Sequence, residues 1–188
     1  MKRHERGDTL VELVLAFAVF SLAAIGTLII MNKGVSIAQR SLETTLVRQQ
    51  IDGQAEMIRY IRDTDQVKWA EIKSKAIGIS PMPLSGPCPT AGSLVLGGKN
   101  GFYVVPGAVI DTYEVRAATS ANYVIPALHA KIDSATKQSH GIWIQTVKSE
   151  DLSGKNIVAY DFYIHGCWDS VGQSAPMTLG TIVRIYDK

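Results

Sequence analysis

Hydrophobic and polar positions divide the 188-residue chain into three stretches. From Leu13 to Met31 no charged residue occurs, about the length of helix that crosses the hydrocarbon core of a bilayer. From Asn32 to about Ile77 polarity rises while a helical rhythm persists. Val35, Ala38, Leu42, Leu46, Ile51, Ala55, Ile58 and Ile61 recur three to five residues apart, and Arg, Asp and Glu fill the other faces. No proline precedes Pro81, so the pattern predicts one helix over residues 9–62, about 80 Å long at 1.5 Å per residue. Gly53 is its weak point, about 1 kcal/mol worse than alanine, and Arg59 with Asp63 has the spacing of a helical ion pair. A second helix is predicted through Ala76, capped by Thr64 or Asp65, with Val67, Ala70 and Ile72 as apolar contacts and Trp69 as ordinary core.

The proline-rich stretch from Ser80 to Gly92 is a loop. Beyond it the pattern changes to short runs rich in β-branched and aromatic residues, at 93–96, 102–105, 109–116, 142–148, 157–165 and 178–186. Turn signals separate them, and 142–148 with 157–165 predicts a hairpin. Residues 120–139, with Pro126, His129 and Lys137, read as a loop with a short helix. Helix first and strands later is an α+β order. The chain then divides into 1–7, 8–31, 32–77 and a β-rich domain over 78–188.

Charge sharpens the reading of the first stretch. Lys2, Arg3 and Arg6 stand against Glu5, so the formal excess of +2 lies within the first seven residues, and the rest carries 16 basic and 16 acidic residues. A basic flank stays on the cytoplasmic side, which sends everything after Met31 outward. A neutral remainder lacks the electrostatic footprint of a general nucleic-acid binder, and no small-molecule ligand is evident. Glu12 sits at the lip of the apolar run, where a carboxylate costs about 3 kcal/mol in lipid.

The junction Gly7-Asp8-Thr9-Leu10-Val11-Glu12, with a short basic stretch before it and an uncharged run after it, resembles the class III signal of type IV prepilins and pseudopilins. That resemblance implies cleavage after Gly7 by a prepilin peptidase, a mature chain starting at Asp8, and N-methylation of Asp8 by the same bifunctional enzyme. It places Glu12 at the fifth mature position, where the family's glutamate meets the N-terminal amine of a neighbouring subunit. Two departures stand out: Asp8 occupies a position that is usually Phe, and the apolar run has no proline, leaving Gly26 beside Thr27 as its soft point. The resemblance also implies a pilin-like fold, a long N-terminal helix packed on a C-terminal antiparallel β-sheet. The implied partners are the peptidase/methyltransferase, other pilin subunits, the pilus assembly platform and the cytoplasmic membrane. No cofactor is implied.

Other readings compete for the same segment. A secretory signal peptide would use Ser36-Ile37-Ala38 as its cleavage site, but its apolar core is shorter, about 7–15 residues. A plain signal anchor would keep Met1. A core helix of a soluble protein would need a larger core than the remaining chain offers.

Cys88 and Cys167 lie in the part predicted to face outward, where a disulfide is permitted and an even count fits one bridge. Two unpaired cysteines remain the alternative. His165-Gly166-Cys167 supplies too few ligands for a metal site. No metalloprotease, nucleophile-elbow or phosphate-loop motif occurs, and Glu150 with Asp151 reads as a solvated turn rather than a calcium site. The sequence therefore points to a non-enzymatic subunit, a minor pilin or pseudopilin of a type IV pilus or type II secretion-like filament. The alternatives are a membrane-anchored binding or adhesion module that does not polymerise and a secreted enzyme.

Overall fold

The structure is a computed structural model. It describes residues 8–78, 80–82, 86–126, 128–150 and 158–187, without the side chains of Asp8, Thr9 and Glu150. Helix α1 runs from Asp8 to Thr64, 57 residues, and α2 from Gln66 to Ser74. The chain divides into two compact units at Leu42 and Glu43.

The first unit is the earlier part of α1. Its large apolar side chains, Leu10 to Met31, face outward, and the helix is long and apolar enough to cross a membrane.

The second unit is α+β. Its strands are β1 (Val95–Leu96), β2 (Lys99–Asn100), β3 (Phe102–Pro106), β4 (Tyr113–Ala117), β5 (Tyr123–Val124), β6 (Lys131–Asp133), β7 (Gln138–His140), β8 (Ile142–Glu150), β9 (Val158–Trp168) and β10 (Met177–Tyr186). β10-β9-β8-β3-β4 form an antiparallel five-stranded sheet, β1-β2 a hairpin and β5-β7-β6 a small mixed sheet. The expected hairpin is β8 and β9, paired over nine positions from Ile142↔Gly166 to Glu150↔Val158.

Strand alternation sorts the main sheet into two buried faces. One carries Phe102, Val104, Ile142, Ile144, Phe162, Ile164, Val183 and Ile185, and packs on Val47, Ile51, Ala55, Ile58 and Ile61 of α1 and Trp69 and Ile72 of α2. The other carries Tyr103, Val105, Trp143 and Cys167, and meets Cys88, Leu94, Ala118 and Tyr123. Gly166 lies where α1 crosses β9: a Cβ there would stand 2.8 Å from a Val47 methyl. The packed stripe of α1 begins at Glu43 and Val47; Val35 and Leu42, expected in it, are exposed.

The sheet opens between β3 and β8, which pair only at Phe102↔Ile144. Ile77 fills the β8 side, bridging in parallel to Val147 with its N–H on the Thr146 carbonyl (2.8 Å).

α2 starts one residue after its cap, Asp65, whose carboxylate accepts from the N–H groups of Val67 and Lys68. Trp69 and Ile72 are buried as expected, but Val67 is 81 % exposed. The Trp69 indole N–H donates to Asp187 (2.9 Å), which also pairs with Lys73 (2.8 Å) and ties the last described residue to α2. Arg59 pairs with Glu56.

Three strand expectations need correction. Residues 91–94 form a 3₁₀ turn, leaving only Val95–Leu96 as strand. The strand expected over 109–116 begins at Tyr113, because Asp111 has a φ of 62° and Gly107 and Thr112 close a turn through Gly107 N to Thr112 O (2.7 Å) and Thr112 N to Val109 O (3.2 Å). Residues 120–139 hold β5, β6 and β7 rather than a loop with a short helix. Asp133 makes the β6–β7 turn by accepting from the N–H groups of Ala135 and Thr136, and Lys137 takes the left-handed conformation (φ 54°).

Candidate functional site

The apolar part of α1 is the first candidate. Gly7 lies outside the described residues. Asp8 opens the helix, and Glu12, one turn on, is exposed. The two hydroxyls in the apolar run are satisfied inside the helix: Ser21 Oγ donates to the Phe17 carbonyl (2.7 Å) and Thr27 Oγ1 to that of Ala23 (2.8 Å). Neither side-chain hydroxyl of this apolar stretch is thus left without a partner. Gly26, beside Thr27, has nothing within 4 Å of where a Cβ would stand. Between Leu13 and Met31 the surface is apolar on every side, a helix built to meet lipid or other apolar helices.

In the second unit the geometry brings together residues that sequence reasoning treated separately or missed. Cys88 and Cys167 form a disulfide, with Cα atoms 5.6 Å apart and a sequence separation of 79. It ties Cys88 to the end of β9. Earlier in the sequence, the Met82 N–H donates to Gln145 Oε1 (3.0 Å).

Beside the bridge, on the sheet face opposite α1, Trp143 of β8 lies opposite His165 of β9. Their rings are 5.2 Å apart, with Tyr163 6.4 Å from His165 and Tyr123 6.3 Å from Trp143. His165 is 7 % exposed, and both its nitrogens, like Trp143 Nε1, Gln145 Nε2 and the Tyr123 hydroxyl, have no hydrogen-bond partner among the described residues. Burial lowers the His165 pKa to about 4 and raises that of Tyr123. The imidazole is neutral at neutral pH.

By sequence, Glu43 is one of the charges on a polar helix face. In the structure it is 5 % exposed and accepts hydrogen bonds from Trp168 Nε1 (3.1 Å) and Ser170 Oγ (2.6 Å). Its spacing gave a signal: Glu43 lies four residues before Val47 and eight before Ile51, on the stripe that the sheet buries.

Two charge clusters involve the main sheet, one between exposed Arg184 and buried Asp161 and one half-exposed around Glu114. Arg184 forks onto Asp161 through two 2.7 Å hydrogen bonds, which raise its pKa. Lys137 and Arg116 both donate to Glu114 and hold its carboxyl below the usual range. Neither cluster is enclosed. Among the described residues no group of three or more His, Cys, Asp or Glu could hold a metal ion; the Glu150 side chain and Asp151 lie outside them.

This arrangement can do two things: present a long apolar helix to a non-aqueous environment, and hold a disulfide-stapled α+β domain by buried polar contacts. No family model matches the chain, and neither does any curated protein or solved structure.

Proposed function

We propose that the chain is a pilin-like filament subunit, inserted as a single-pass precursor with its basic end in the cytoplasm and its α+β domain outside. On this reading a prepilin peptidase cuts between Gly7 and Asp8 and methylates the new amine, and the mature subunit joins other pilin subunits through the apolar half of α1. The observation that carries the reading is α1 itself. It is one unbroken helix from Asp8 to Thr64, uncharged from Leu13 to Met31, with a carboxylate one turn from its start.

Glu12 acts here as a register pin. Its charge is unfavourable in hydrocarbon, as is the positive N-terminal amine of a neighbour, and pairing offsets both. The pair fixes position more than it adds stability. Asp8 competes for the same amine, so this subunit tolerates loss of Glu12 better than one with phenylalanine there.

The mass of the mature N-terminus tests the reading, with and without the peptidase. A start at Asp8 that is lost in Gly7→Ala supports it. A retained Met1 makes the chain a membrane-anchored module that does not polymerise, and a start at Gln39 makes it a secreted protein. Glu12→Ala is expected to be cleaved and inserted but depleted at least tenfold from sheared filaments; normal incorporation removes the assembly role.

A further inference from the structure

β10 and β4 are the two edges of the five-stranded sheet, and among the described residues no strand pairs with the outer side of either. Edge strands leave N–H and C=O groups unpaired, and proteins usually blunt them with shortness, charged side chains, proline, a bulge or a covering element. β10 has a single charged side chain, Arg184, which is paired with Asp161 of its own sheet. The strand is ten residues long, contains no proline or lysine, and pairs with β9 one-for-one throughout. Ile182 and Tyr186, on the face it shares with Arg184, are exposed.

The direction of the edges limits what can cover them. Every neighbouring pair in this sheet is antiparallel, and an odd number of strands therefore sends β10 and β4 the same way. Copies oriented alike can join β10 of one to β4 of the next in parallel, and each addition leaves a free edge for another. Such a head-to-tail contact propagates, whereas an antiparallel β10–β10 contact closes on itself and turns one domain end over end. Charge permits the first arrangement. Arg184 on β10 is neutralised by Asp161, and Glu114 on β4 by Arg116 and Lys137.

We propose that the β10 edge of one copy takes the β4 edge of a second copy in parallel, as a lateral contact between α+β domains. The proposal rests on the proposed function for its like orientation of copies, which copies anchored in one membrane also share. β4 has five residues and parallel ladders are slightly weaker than antiparallel ones, so the contact supplements helix packing and does not replace it.

A photo-reactive phenylalanine analogue at Ile182 of the full chain, irradiated in membranes and in sheared filaments, tests it, with the same probe at exposed Val67 as control. Peptide mapping is expected to join position 182 to residues 113–117 of another copy, at least tenfold above the Val67 control. A link to β10, to another protein, to no site, or at equal yield from Val67 overturns the proposal. The two readings fail separately. Filaments with the 182 probe linked elsewhere leave the filament reading standing, and an uncleaved chain removes that reading while the membrane cross-link alone decides the edge contact.

Discussion

The side-chain amide of Gln54 on α1 exchanges two hydrogen bonds with the backbone of Val104 on β3: Nε2 donates to the Val104 carbonyl and the Val104 N–H donates to Oε1, each at 2.8 Å. Gln54 is 1 % exposed and Val104 fully buried. β8 leaves β3 after Phe102↔Ile144, so the helix supplies what a neighbouring strand would otherwise give. Gln54→Leu keeps much of the volume and orphans both backbone groups. Each buried unsatisfied group costs about 1–3 kcal/mol, so the variant is expected to lose about 3 kcal/mol in denaturant unfolding. A loss under about 1 kcal/mol would show that the sheet closes without the glutamine.

This contact marks where sequence reading stopped. The single helix was legible because Leu13–Met31 is uncharged, no proline interrupts the residues beyond Met31 before Pro81, and Ile51, Ala55, Ile58 and Ile61 keep helical spacing. β8 and β9 were legible as two long β-rich runs joined by a polar turn. β5, β6 and β7 were not, because strands of two or three residues carry no periodicity; only Asp133 and the left-handed Lys137 give the turn away. Glu43 was read as one of the charges on the polar face, and nothing in the pattern singled out Gln54, because a polar side chain on a helix signals solvent unless its partner, distant in sequence, is known. Glu12 is singled out by the charge pattern alone, while the aromatic cluster around His165 required the pairing of β8 with β9.

Glu43 gives a second measurable case. Its carboxylate receives two buried donors, the Trp168 indole N–H and the Ser170 hydroxyl. Glu43→Leu leaves both unsatisfied and is expected to destabilise the domain by about 3 kcal/mol, since hydrogen bonds to charged groups are worth about 1.5–3 kcal/mol each. Both donors meet the same carboxylate oxygen, Oε2, so the single amide oxygen of Glu43→Gln can still accept from both; the variant gives up the charge assistance and should lose roughly half as much. Denaturant unfolding gives the energies, and Trp168 fluorescence reports whether its surroundings change in the folded protein. Equal losses in the two variants would mean that shape, not hydrogen bonding, sets the contribution of Glu43.

The disulfide is expected to act mainly on the unfolded chain. Closing a loop of this size contributes about 4 kcal/mol in the chain-entropy treatment. Cys88→Ser with Cys167→Ser should therefore lower stability by up to that amount while the β8–β9 pairing persists. Hydrogen exchange is the suitable readout: Met82, held through Gln145, should lose protection before the strands do. Simultaneous loss of protection across β9 would show that the bridge holds the sheet itself.

His165 makes the domain sensitive to acid. Its folded pKa, lowered to about 4 by burial, lies below the ordinary value of 6.5, so between those values the unfolded chain binds the proton and the folded one does not. The associated stability is fully present above pH 6.5 and is lost as the pH falls towards 4; the gap corresponds to on the order of 3 kcal/mol. Glu114 and Asp133 have carboxyl pKa values lowered by their hydrogen bonds. Their contributions are present above the usual carboxylate values and are lost below them, at the acid end of the histidine window. Thermal unfolding at pH 7.5, 6, 5 and 4.5 should show the decline begin near pH 6.5 in the native chain. His165→Phe keeps an aromatic ring against Trp143 and has nothing to protonate, so its stability should stay flat down to about pH 5. A native-like decline in that variant would assign the acid sensitivity to other groups.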